Sequence, residues 1–134
     1  MTTFLDTSVI VRYLVGVPAE QAARARTLIE SDRPMVIPVV ALVETAFVLM
    51  RSYGVSQADV VDALVGLPRR VNVAVHELPT AIAIQALLLC RPSGRVSFAD
   101  VRIWAAARTA AKRRVATFGQ RFPDVDVERE VLVE

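Results

Sequence analysis

Strand-like and helix-like segments alternate along almost the whole of this chain, and that alternation limits the folds open to it more than any other feature. Thr2 to Leu5 reads as a short strand ending at Asp6, and Thr7 to Val15 as a helix that Asp6, Thr7 or Ser8 can cap. Pro18 opens a second helix, Ala19 to Glu30, because proline suits a first turn where no amide hydrogen is needed. Met35 to Ile37 is a strand, Pro38 to about Tyr53 a long apolar helix, and Gly54 its stop. Ser56 caps a helix reaching about Leu67, and the β-branched alternation within Arg70 to Val75 predicts a strand. Pro79 to Leu89 is helical, and a loop from Arg91 to Val96 carries Pro92 and Gly94. Ser97 to Arg114 reads as a long alanine-rich helix, Val115 to Phe118 as a strand. A turn at Pro123 leads to a last strand near Val127 to Val133.

The resulting order, β-α-α-β-α-α-β-α-α-β-β, predicts a layered α/β fold with a mostly parallel sheet. At 134 residues the chain has the size of one domain, residues 1–134, and no repeat or linker divides it. Apolar residues make up 54%, which excludes disorder and suits strands buried on both faces by helices, or a surface hidden against a partner. One cysteine, Cys90, and one histidine, His76, exclude a disulfide framework and a zinc site of the Cys/His type. A reducing cytoplasm is the expected setting. No signal peptide is expected, because Asp6 and Arg12 interrupt the first apolar run. The Met35–Met50 run, broken by Pro38 and Glu44, is too short to span a bilayer. The formal net charge of +2 is too mild to argue for nucleic acid. Fifteen of the sixteen basic residues are arginine, the better phosphate fork, although a codon bias toward arginine is the stronger explanation.

Three carboxylates stand out. Glu44 is the only charge between Met35 and Met50. A lone carboxylate among Val40, Ala41, Phe47 and Val48 is expected to need a metal, a partner or access to water. Asp6 sits where the first strand should end, the position at which parallel α/β sheets bind ligands, although N-capping would explain it as well. Asp100 follows Ser97 by three residues, close to a capping box. Together the three acids come from three different α/β units. A sparse acidic set without histidine is what Mg²⁺ or Mn²⁺ requires at a phosphodiester-cleaving site. The remaining features have ordinary explanations. Lys112-Arg113-Arg114 would close a helix C-terminus against its dipole, Arg69-Arg70 would be a solvated turn, and Trp104 would pack in the core. The Walker and dinucleotide glycine patterns are absent.

Four stretches resemble the motifs of PIN domains. They are Phe4-Leu5-Asp6-Thr7-Ser8-Val9-Ile10; Val43-Glu44-Thr45-Ala46-Phe47-Val48-Leu49 through Arg51; Ser97-Phe98-Ala99-Asp100 with Ile103 and Ala105 to Ala107; and Val115-Ala116-Thr117-Phe118. Their order and spacing match that family along the whole chain, and the chain's size and compactness resemble the VapC toxins of bacterial VapBC toxin–antitoxin pairs. The resemblance implies a three-layer α/β/α fold with a central, mostly parallel four- or five-stranded sheet. It implies Mg²⁺- or Mn²⁺-dependent endoribonuclease activity on tRNA or ribosomal RNA, a homodimer, and a VapB-like antitoxin that blocks the site. Asp6, Glu44 and Asp100 would be metal ligands and catalytic residues, with Thr7, Ser8 and Thr117 in support through their hydroxyls. One departure is Gly119, where the family commonly has a further acid; Asp124 or Asp126 would be the substitutes at hand. A PIN-like protein that has lost catalysis and binds antitoxin or RNA is therefore the rival expectation. A phospho-receiver domain is a poorer one, since Asp6 has no adjacent acid and the sole lysine, Lys112, reads as helical.

Overall fold

A computed structural model describes residues 2–92 and 95–132. Gly94 of the expected loop and Val133 of the expected last strand lie outside the described residues. The elements are β1 (Thr3–Phe4), α1 (Thr7–Val15), α2 (Ala19–Ile29), β2 (Met35–Pro38), α3 (Val39–Tyr53), α4 (Gln57–Gly66), β3 (Val73–His76), α5 (Thr80–Leu89), α6 (Phe98–Arg108), β4 (Arg114–Thr117) and β5 (Glu128–Val131). Their order is the one the alternation predicts.

Local chemistry sets most of the boundaries. Gly16 and Gly54 end α1 and α3 in the left-handed conformation, at φ of 84° and 64°, which a residue without Cβ adopts freely. Ser56 caps α4 by accepting the Asp59 N–H. Proline stands at the N-cap of α2, α3 and α5 without a side-chain cap, in extended geometry at α2 and α3.

Every strand pair is parallel. β1, β2 and β3 lie side by side in that order, with Thr3 opposite Met35 and Val36 opposite Ala74. β4 and β5 pair separately, Arg114 opposite Glu128. The five expected strands are therefore present, hydrogen-bonded as a three-stranded and a two-stranded sheet. α3 packs on β2, α5 on β3 and α6 on β4, and the six helices and parallel strands make up the three-layer α/β/α architecture.

Two expectations change. Strands buried on both faces are not seen: Leu5, Met35, Ile37, Val73 and Val75 are buried, whereas Phe4, Ala74 and His76 on the alternate face are exposed. The apolar surplus resides in helices instead, notably α5, which carries no charged residue, and α3. The long helix from Ser97 to Arg114 also stops early. It ends at Arg108, and the Thr109 hydroxyl turns back to donate to the Ala106 carbonyl at 2.6 Å. Lys112 and Arg113 then lie outside any helix, and Arg114 belongs to β4, where it pairs with Glu128 at 3.0 Å. The basic cluster does not close a helix.

Trp104 is buried as expected, and its indole N–H donates to the Val125 carbonyl at 2.9 Å, tying α6 to the segment before β5.

Candidate functional site

Asp6 follows the carboxyl end of β1 and caps α1. Its Oδ2 accepts the Ser8 hydroxyl at 2.6 Å and the Ser8 N–H at 3.2 Å. The hydroxyl bond, then the amide bond, hold the Asp6 carboxyl below its ordinary pKa by stabilising the charged form. Both bonds fall on Oδ2, so Oδ1 lies outside them and the capping role does not consume the carboxylate.

Glu44 stands in the second turn of α3 and is exposed, not buried. Of the apolar neighbours that argued for burial, Val40 and Phe47 are exposed with it, Val48 is half-buried and Ala41 is buried. Val40 is 61% and Phe47 36% accessible, and Arg51 completes the same stripe at the i, i+4, i+7, i+11 spacing of one helix face. The buried face of α3 is the other one, with Ala41, Leu42, Thr45, Ala46 and Leu49. Glu44 thus has the water access that a carboxylate in an apolar stretch requires.

The two acids meet. Asp6, Thr7, Pro38 and Glu44 line one pocket, at the carboxyl ends of β1 and β2 where the chain passes into α1 and α3. Ligands of parallel α/β sheets bind in this position.

Asp100 lies apart from that pocket. It lines a second one with Arg95, Thr117, Gly119 and Arg121. There the capping box with Ser97 is fully formed: Asp100 N–H donates to Ser97 Oγ at 3.0 Å, and Ser97 N–H donates to Asp100 Oδ2 at 3.3 Å. Gly119 donates its N–H to Thr117 Oγ1 at 2.9 Å, so Thr117 is occupied by the turn that follows it. Neither Asp124 nor Asp126 lines this pocket; Asp124 faces Arg129 at 3.8 Å, and Asp126 holds a turn at φ of 54°. Among the described residues, no three Asp, Glu, His or Cys side chains come close enough to hold one metal ion. The expected three-acid set therefore appears as a pair, Asp6 with Glu44, and a separate Asp100.

The pair still fits a hard divalent cation. Magnesium commonly takes one or two carboxylates and completes its shell with water and phosphate oxygens. Exposed carboxylates, one of them oriented by hydrogen bonds that favour its charged form, are suitable donors.

The sequence assigned no role at this pocket to Phe4 or His76. Phe4, on its lining, meets His76 edge to face, with centroids 4.9 Å apart and planes at 72°. The Arg51 guanidinium lies 5.6 Å from the Phe47 ring centre. The four-residue helical spacing from Val40 to Glu44 was the signal available for this exposed stripe. Arg12 donates to the Ser8 carbonyl and to Gln21, and its charge adds to the Ser8 bonds in lowering the Asp6 pKa.

An α/β chain with an acid pair at the strand ends has the layout of a ligand-binding or catalytic α/β domain. Comparison with family models then makes the assignment specific: the PIN domain model matches residues 3–128, and the chain belongs to the PIN domain family. PIN domains are generally nucleases and generally use divalent metal ions. The comparison with curated proteins found no match.

Proposed function

We propose that this chain is a Mg²⁺- or Mn²⁺-dependent endoribonuclease, the toxin of a VapBC-type pair. In this reading it acts in the cytoplasm as a homodimer on tRNA or ribosomal RNA and is restrained by a VapB-like antitoxin. One observation carries the catalytic part: Asp6 and Glu44, thirty-eight positions apart, face one pocket at the strand ends of a PIN domain. The four motifs in order support the toxin assignment. No described helix is long and apolar enough to cross a membrane.

Asp6 and Glu44 would hold the cation, with Thr7 beside them. When bound, the ion supplies Lewis acidity, making water a better nucleophile and offsetting charge on the leaving oxygen. The chain's own part is orientation. Ser8 orients the Asp6 carboxylate and favours its charged form, so the pocket presents an ordered acceptor before any cation arrives. The α3 backbone sets Glu44 opposite, on a stripe open to a polymeric substrate. Asp100, with one oxygen engaged by Ser97, would act on the phosphate's surroundings from the second pocket.

Asp6→Ala is the direct test. Loss of RNA cleavage with unchanged circular dichroism is expected; full activity in nuclease-free preparations would overturn the reading. Gly119 and the separation of Asp100 favour a second reading, a PIN protein that binds antitoxin or RNA without cutting. RNA cleavage by the wild-type chain with and without added Mn²⁺ separates the two.

A further inference from the structure

The rim of the acid pocket is aromatic and wet. Phe4 lines that pocket with Asp6 and Glu44, yet 56% of its surface is accessible. Burial does not explain a phenyl ring there, because the core on this sheet is built on the opposite face, from Leu5, Ile37 and Val75. The ring is nevertheless braced. His76, at the end of β3, supports it edge to face at 4.9 Å.

We infer that Phe4, braced by His76, is a stacking platform for an unpaired base of the RNA, beside the phosphate held at Asp6 and Glu44. The inference rests on the nuclease reading above. A phosphodiester seated at the two carboxylates brings its own sugars and bases against the pocket wall. Among the residues lining that wall, Phe4 is the only one with a flat π face. Stacking on aromatic rings is the usual way proteins hold unpaired bases, and it tolerates any base because every base has such a face. In a duplex that face is covered by neighbouring bases, so the site selects single-stranded or looped RNA. A docked protein segment is the competing occupant. It suits this rim less, because Asp6 and Glu44 interrupt the apolar side chains with charge.

The test uses short single-stranded RNAs that the wild-type chain cuts, with an abasic residue placed in turn at each position flanking the cut. For the wild type, one abasic position raises KM about tenfold, in the range stacking supplies. In Phe4→Ala the same abasic position brings no further rise, because the ring it stacked on is gone. Phe4→Trp keeps the penalty, and Phe4→Leu, which keeps apolar bulk without the π face, loses it. His76→Ala, a positioning change, reduces the penalty without removing it. A merely structural Phe4 would leave the abasic penalty intact in every variant. That outcome overturns the platform and leaves the rings as a protein-docking patch, while the nuclease reading stands. A wild-type chain that cuts no RNA in the presence of Mn²⁺ overturns both.

Discussion

Hydroxyl groups decide much of the chemistry at the residue scale. Ser8 holds Asp6 in its charged form, and the sign of the consequence is definite. A carboxylate whose folded pKa is depressed contributes stability above its unfolded pKa and loses it as pH falls through the folded value. Ser8→Ala removes the first cause of that depression, so the Asp6 pKa rises toward its ordinary value. The acid limb of the cleavage pH profile moves to higher pH with it. Carbon-detected NMR titration of the Asp6 carboxyl checks this, and an unmoved pKa would show that Ser8 is a bystander. Thr45 poses the opposite case. It is wholly buried, and its hydroxyl has no partner among the described residues. An unpaired buried hydroxyl costs about 1–3 kcal/mol. Thr45→Val, nearly the same shape, should therefore raise stability by about 1 kcal/mol in urea unfolding. Cys90 is inert by the same reasoning about burial: desolvation pushes its thiol up to about 11, and alkylation at neutral pH should be slow in the folded chain.

Helix ends are where sequence and structure agree and disagree most instructively at the scale of elements. The starts were legible because they are local: Asp6, Ser56 and Ser97 each accept a backbone N–H from the first turn. Ser97→Ala, which breaks the capping box of α6, should cost about 1 kcal/mol. Denaturant melts check this; the backbone N–H at position 97 still donates to the Asp100 carboxylate in the variant. The end of α6 was not legible. Alanines from Ala105 to Ala111 favour helix by propensity, but pairing Arg114 with Glu128 in the β4–β5 ladder draws the chain out before Lys112. A long-range partner overrode a local preference. Glu44 shows a related limit. Apolar neighbours in sequence do not imply burial, since Val40 and Phe47 share its exposed face while Leu42 and Ala46 turn inward. The Gly119 turn permits a direct experiment. A Cβ built there meets only Thr117 Oγ1, at 3.3 Å, so Gly119→Asp fits with a small adjustment. It adds a second acid to the Asp100 pocket and should increase Mn²⁺ affinity. Calorimetry showing no gain would count against a cation role for that pocket.

For the molecule as a whole, α/β alternation brings residues from separate units to the strand ends, and this was readable because strand–helix order is. Which acids converge was only half readable. Asp6 and Glu44 share a pocket, whereas the distance from either to Asp100 depends on how α6 packs against α3 and α5, which no local pattern encodes. Metal removal should therefore affect function more than fold. The core of Ile10, Ile37, Val61, Leu64 and Trp104 owes nothing to a cation, so EDTA should abolish RNA cleavage while the thermal unfolding midpoint stays nearly unchanged. Of all these measurements, calorimetric titration of Mn²⁺ into the wild type, Glu44→Gln and Asp100→Asn meets the central claim most directly. A cation held by the Asp6–Glu44 pair predicts binding to the wild type, its loss in Glu44→Gln, and its survival with reduced affinity in Asp100→Asn. Wild-type affinity in Glu44→Gln would contradict it.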